Sequence, residues 1–114
     1  MKSLGIRGEE IASRFLIKKG FKILFKNYRL KFGEIDIIAL DKNSLVFVEV
    51  KTRFNTEFGK PFEAINISKQ NKLRKLADCF IAFNQPEAKF FRFDVISILI
   101  NKDKREVVHI ENAF

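Results

Sequence analysis

The chain has no tryptophan, one cysteine, one histidine and two prolines among its 114 residues. A lone thiol, Cys79, excludes an internal disulfide and a cysteine zinc cluster. It lies in a helical pattern, where a buried or flanking free thiol suits a reducing cytoplasm. A lone imidazole, His109, leaves no material for a histidine metal site or a histidine-centred triad and reads as a strand-surface residue. No apolar run approaches the roughly 20 residues that cross a bilayer, so no membrane partner is expected. Met1-Lys2-Ser3 leads into charged residues rather than into the apolar core of a secretory signal. Repeats, low-complexity tracts, a Walker loop and a Rossmann glycine pattern are missing as well.

What is present is apolar and basic. Fourteen phenylalanines within a 46% hydrophobic composition predict one aromatic-rich core and a single domain over residues 1–114. The formal net charge is +8, which favours polyanionic partners, since each neutralised phosphate releases condensed counterions. A merely solvated basic surface is the plain alternative. The surplus is uneven: residues 1–54 carry twelve Lys/Arg against six Asp/Glu, and residues 55–114 carry ten against eight.

The acids in that more basic half have a pattern. The run 33–40, Gly-Glu-Ile-Asp-Ile-Ile-Ala-Leu, and the run Leu45-Val46-Phe47-Val48-Glu49-Val50-Lys51 read as two strands around the polar turn Asp41-Lys42-Asn43-Ser44. A hairpin centred on Lys42 and Asn43 sets Asp36 opposite Glu49 and Glu34 opposite Lys51, all four on one face. Carboxylates about 5 Å apart repel by roughly 3 kcal/mol at an effective dielectric near 20. A divalent cation turns that repulsion into ligation, Mg²⁺ being the usual choice for oxygen ligands. A lysine beside such an ion can hold and polarise an attacking water, the chemistry of metal-assisted phosphodiester hydrolysis. Glu and Lys two apart on a strand also form simple surface ion pairs worth about 0–1 kcal/mol.

Around this hairpin the periodicity predicts two helices and three more strands. The first helix starts at Ser3 as N-cap and ends near Gly20, with Leu4, Gly8, Ile11, Ala12, Phe15 and Leu16 on one stripe. Glu9 borders that stripe and can reach inward to the sheet or stay solvated in the first turns. Residues 21–31 read as extended with a bend near Asn27; Arg29 and Lys31 then sit within reach of a phosphate backbone or serve as edge charges. Residues 52–61 read as a loop. The second helix takes Ser68 as N-cap and buries Leu73, Leu76, Ala77 and Phe80; Lys69 and Gln70 share that side, and Lys72 and Lys75 point away. Residues 91–100 and 105–110 complete the sheet, with Asp94 a structural acid paired with Arg92 or Arg29.

The segments Gly8-Glu9-Glu10-Ile11-Ala12, Gly33-Glu34-Ile35-Asp36, Val46-Phe47-Val48-Glu49-Val50-Lys51-Thr52-Arg53, Lys69-Gln70 and Arg92-Phe93-Asp94-Val95, with D-x(12)-E-x-K on a central hairpin, resemble the PD-(D/E)XK restriction-endonuclease-like superfamily. Within it the chain looks most like the YraN-like family, which is similar to archaeal Holliday-junction resolvases. The resemblance implies an α/β fold in the order α-β-β-β-α-β-β, a central mixed sheet flanked by helices. It implies Mg²⁺ or Mn²⁺ held by Asp36, Glu49 and the Val50 carbonyl, with Lys51 orienting the water. Glu9 matches a helix glutamate acting at the metal through water, and Gln70 a helix residue beside the site. Ile35 stands where the superfamily pattern has proline. The expected activity is endonucleolytic cleavage of nucleic acid, DNA before RNA, with branched DNA one substrate and Arg29, Lys31, Arg53, Lys69 and Lys72 as backbone contacts. A homodimer follows by analogy with resolvases. A silent nucleic-acid-binding module and an interaction protein independent of nucleic acid are the alternatives.

Overall fold

The structure, a computed structural model, describes residues 4–54, 65–101 and 104–114, with the backbone alone at 4–6. The elements follow the expected order: α1 (Leu4–Lys18), β1 (Lys22–Leu30), β2 (Gly33–Asp41), β3 (Ser44–Phe54), α2 (Ile67–Asn84), β4 (Phe90–Asn101) and β5 (Lys104–Ile110). The five strands form one sheet in sequential order. Its pairings are antiparallel except β3 with β4, which run parallel because α2 carries the chain across between them. The fold is therefore a mixed α/β sheet of the restriction-endonuclease-like kind. No helix among the described residues is long and apolar enough to cross a membrane.

Each helix covers one face of the sheet. Ala12 and Leu16 of α1 pack on Ile37, Ala39, Val46, Val48, Ile96 and Ile98. Leu73, Leu76, Ala77 and Phe80 of α2 pack on Ile35, Ile38, Leu45 and Phe47. β3 thus buries both faces, which is why its sequence is a continuous apolar run rather than an alternating one. The phenylalanines concentrate on the α2 side, where the Phe80 ring meets Phe25, Tyr28 and Phe47 edge-on.

Helix α1 ends as its sequence predicts. Gly20 adopts φ 98°, the left-handed position a glycine takes without strain, and the Phe21 amide donates to the Leu16 carbonyl. The start of α2 differs from expectation. Asn66, not Ser68, is the N-cap, and its side chain accepts from the Lys69 amide at 2.8 Å. Both residue types cap well; the earlier start moves Lys69 from the first to the third helical position. The expected cap Ser3 and most of the expected loop lie outside the described residues. The beginning of that loop is corrected: Thr52, Arg53 and Phe54 continue β3, hydrogen-bonded beside Ile98, Leu99 and Ile100.

His109 is a third correction. Its side chain is only 2% exposed, under α1, where it touches the Phe15 and Phe21 rings edge-on. Lys19 Nζ lies 2.8 Å from Nδ1; an ammonium can only donate, so Nε2 carries the proton and donates to Asp94 at 2.8 Å. Asp94 is fully buried and also bound by Arg92 at 3.0 Å and the Asn112 amide at 3.1 Å. Burial alone would raise this carboxyl, but the bonds from His109, Arg92 and Asn112 outweigh it and hold it below the ordinary range. Asp94 is structural, as expected, with Arg92 as the partner.

Candidate functional site

The hairpin register holds as far as the ladder runs. Asp41 pairs with Ser44, and the alignment continues to Ile37 with Val48. There the strands fork. Asp36 leaves the ladder and its Oδ2 accepts the Val50 amide at 2.8 Å, so a side chain satisfies a backbone donor that β2 would otherwise serve. The neighbouring strand is irregular at the same level. Asn27 adopts φ 55° between the pairs Lys26–Ile37 and Tyr28–Ile35, directly across from Asp36. Asparagine tolerates this left-handed conformation better than most residues. The regular alternation slips at this point: Ile37 packs under α1 while Ile35 packs under α2. Asp36 is left at the fork, outside both cores.

Four acids converge there. Glu9, Glu34 and Asp36 each bring a carboxylate oxygen within 4.8 Å of the others. Glu49 adjoins Asp36, whose carboxyl is pushed up to about 8, first by burial and then by the Glu49 charge, against the opposing pull of the Val50 amide. Glu9 is also raised, chiefly by burial and further by Glu34 and Glu49, while its hydrogen bond to Asn27 and the nearby Lys26 act the other way. Gly8 lets Glu9 get this close. A Cβ at Gly8 would collide with the Thr52 hydroxyl of β3, so only glycine allows α1 to lie against the strand one residue before the glutamate.

Helix α2 supplies the opposite charge. The Glu49 side chain, 9% exposed, receives Lys69 Nζ at 3.1 Å. Lys72, expected to point away, instead helps wall a cleft of about 320 Å³ together with Glu34, Asp36, Glu49, Val50 and Lys69. Its stem is close enough to Gly33 that a Cβ there would stand 3.2 Å from Lys72 Cδ. A long aliphatic stem on the sheet with its charge in the cleft is how lysine resolves a half-apolar position.

The other expected residues divide. Lys51 follows Glu49 by two positions on β3, half-buried and on the same side by alternation, but it is not among the cleft walls. Its expected partner Glu34 is instead paired across β1 with Arg29, whose Nη2 and Nε lie 2.9 and 3.1 Å from Oε2. Gln70 donates to the Ile65 carbonyl at 2.8 Å and is not a wall of the cleft, so its local role is to tie the chain entering α2. Lys31 is exposed on the turn between β1 and β2, and Arg53 is half-buried near the end of β3. Glu34 is the acid that the sequence put on the Asp36 face, opposite Lys51, without assigning it as a ligand. Its spacing of two from Asp36 was the available signal.

The arrangement has an all-oxygen donor set. Mg²⁺ and Mn²⁺ are hard cations suited to carboxylate, carbonyl and water ligands. Asp36, Glu34 and Glu9 are near enough to share one such ion, with Glu49 beside them. Because burial first and the Glu49 charge second raise the Asp36 carboxyl, a cation bound there would compete with its proton.

The model of the uncharacterised protein family UPF0102 matches residues 8–98. A UPF0102 protein of Caldanaerobacter subterraneus subsp. tengcongensis is 49% identical over 99% of this chain and 95% of its own. One from Thermodesulfovibrio yellowstonii is 50% identical over 97% and 95%. One from Clostridium botulinum is 47% identical over 99% and 94%. With the family model covering most of the chain and relatives aligned nearly end to end, the protein belongs to the UPF0102 family.

Proposed function

We propose that the protein is a metal-dependent endonuclease that hydrolyses nucleic-acid phosphodiester bonds, DNA before RNA, with Mg²⁺ or Mn²⁺ as cofactor. The observation that carries this reading is the crowding of Glu9, Glu34 and Asp36 oxygens within 4.8 Å of one another at the β2–β3 fork of a basic protein. Asp36 and Glu49 are the proposed ligands, with the Val50 carbonyl, and Glu9 and Glu34 act directly or through water. A bound divalent cation supplies Lewis-acid stabilisation of the phosphoryl oxygens and a more acidic water. Lys51 is the group proposed to position that water. Lys69 and Lys72 offer the charge that draws a phosphate toward the acids.

One observation favours a silent binding module instead: Glu49 is already held by Lys69 at 3.1 Å, a pairing that competes with metal ligation.

Incubation with branched DNA, duplex, single strands and structured RNA separates the readings. Products that need Mg²⁺ or Mn²⁺, and vanish in Asp36→Ala and Lys51→Ala, support the enzyme. Salt-sensitive binding without products supports the module. The absence of both products and binding supports an interaction protein.

A further inference from the structure

The wall of the cleft continues into an exposed aromatic residue. Lys31 and Phe32 form the turn between β1 and β2, and Gly33, the next residue, lines the cleft with Glu34 and Asp36. The Phe32 side chain belongs to neither described core cluster and stays 39% exposed. A single exposed apolar residue is ordinary, but tight turns favour small and polar residues. The Lys75 ammonium lies 5.3 Å from the Phe32 ring centroid. Lys69, Lys72 and Lys75 follow one another at three-residue steps on α2, about 9 Å from first to last along the helix axis. The series starts on Glu49, passes the cleft wall and ends on Phe32.

A row of ammonium groups leading from an acid cluster to an aromatic face suits one ligand chemistry. Phosphates follow the lysines and a base stacks on the ring. We infer that Phe32 is a base-stacking platform and Lys72 and Lys75 its phosphate contacts, so that the cleft takes a nucleic-acid strand with an unpaired base beside the bound phosphate. The inference rests on the nucleic-acid reading of the cleft and narrows it to a substrate class. Base–aromatic stacking contributes about 1–3 kcal/mol per base, whereas removing a base from a duplex costs a few kcal/mol. Stacking on Phe32 therefore does not open paired DNA. It selects strands already open, such as single strands, flaps and the unpaired arms of a fork.

The chain has no tryptophan, so Phe32→Trp carries a single indole reporter. The variant is titrated with oligothymidylate and with a blunt duplex of equal length in Ca²⁺ without Mg²⁺, while the anisotropy of the labelled nucleic acid reports binding independently. The inference predicts saturable quenching by the single strand and little by the duplex. Phe32→Ala weakens single-strand binding roughly tenfold or more, Phe32→Tyr restores it, and duplex binding changes less than twofold. Single-strand binding without quenching, equal losses for both nucleic acids in Phe32→Ala, or no single-strand binding at all overturns it. Cleavage is scored separately. Quenching without products overturns the nuclease reading alone, and products without quenching overturn the platform alone.

Discussion

The Asp36 carboxylate and the Val50 amide meet at 2.8 Å across the point where β2 and β3 separate. This one bond closes the hairpin and aims an acid at the cleft. Its energetic consequence follows from the Asp36 carboxyl, raised from an ordinary 3.8 to about 8 by burial and Glu49. A raised carboxyl binds its proton more tightly in the folded state. Its stability contribution is complete below pH 4 and is lost as pH climbs toward 8. Asp36→Asn keeps an oxygen for the Val50 amide and removes the titration. Without divalent cations, the variant melts above the wild type at pH 8, by up to a few kcal/mol, and the gap closes near pH 4. Parallel melting curves across that range contradict the assignment.

The proposed metal site gives a second test on the same cluster. Mn²⁺ or Mg²⁺ raises the wild-type Tm at pH 8, a ligand at about 100 times its Kd contributing roughly 2.7 kcal/mol. Because Glu9 and Glu34 share the cluster with Asp36, Glu9→Gln and Glu34→Gln each reduce that rise. Gln70→Ala, which loses its bond to the Ile65 carbonyl outside the cleft walls, retains it. Calorimetry with and without metal reads all four proteins. An unreduced rise in both glutamate variants removes them from the metal set.

Gly8 tests the approach of α1. A methyl group there collides with the Thr52 hydroxyl, and overpacking of this kind costs about 1–3 kcal/mol. Gly8→Ala lowers the urea midpoint, and Thr52→Ala, by clearing the obstruction, recovers part of the loss in the double variant. Additive effects in that cycle rule out the contact as the cause.

Acid denaturation has a different centre. Asp94 is held below its ordinary range by His109, Arg92 and Asn112. A lowered carboxyl contributes stability above pH 3.8 and loses it as pH falls through the folded value. His109→Phe and Arg92→Met each leave buried Asp94 short of a partner, at a cost of about 3–5 kcal/mol for breaking such a network. They also shift the acid transition upward. Urea titrations between pH 3 and 7 measure both effects, and an unmoved transition would refute the network's role.

Much of this layout was legible because strand alternation and turn chemistry are local. The hairpin register follows from a polar turn between two apolar runs, and the observed pairs from Asp41–Ser44 to Ile37–Val48 obey it, the ladder stopping one step short of Asp36 and Glu49. The α2 stripe was equally clear, because Leu73, Leu76, Ala77 and Phe80 repeat at helical spacing. What failed depended on distant partners. Straight extrapolation gave Glu34 to Lys51, whereas the fork at Asp36 turned it to Arg29. His109 looked like a surface position in its own strand. Its partner Asp94 sits on the adjacent strand, and the rings that cover it come from Phe15 and Phe21. Lys72 was assigned by helical phase alone, which does not see the glycine at position 33 that draws its stem inward.

The one parallel joint of the sheet, β3 against β4, closes only after the whole of α2 has crossed over. Synthesis therefore delivers the carboxylates of α1, β2 and β3, with Lys26 and Arg29 of β1 among them, before Lys69 and Lys72 of α2. A ribosome-bound intermediate at that stage lacks the Lys69 partner of Glu49, and surrounding protons and ions set how readily it collapses.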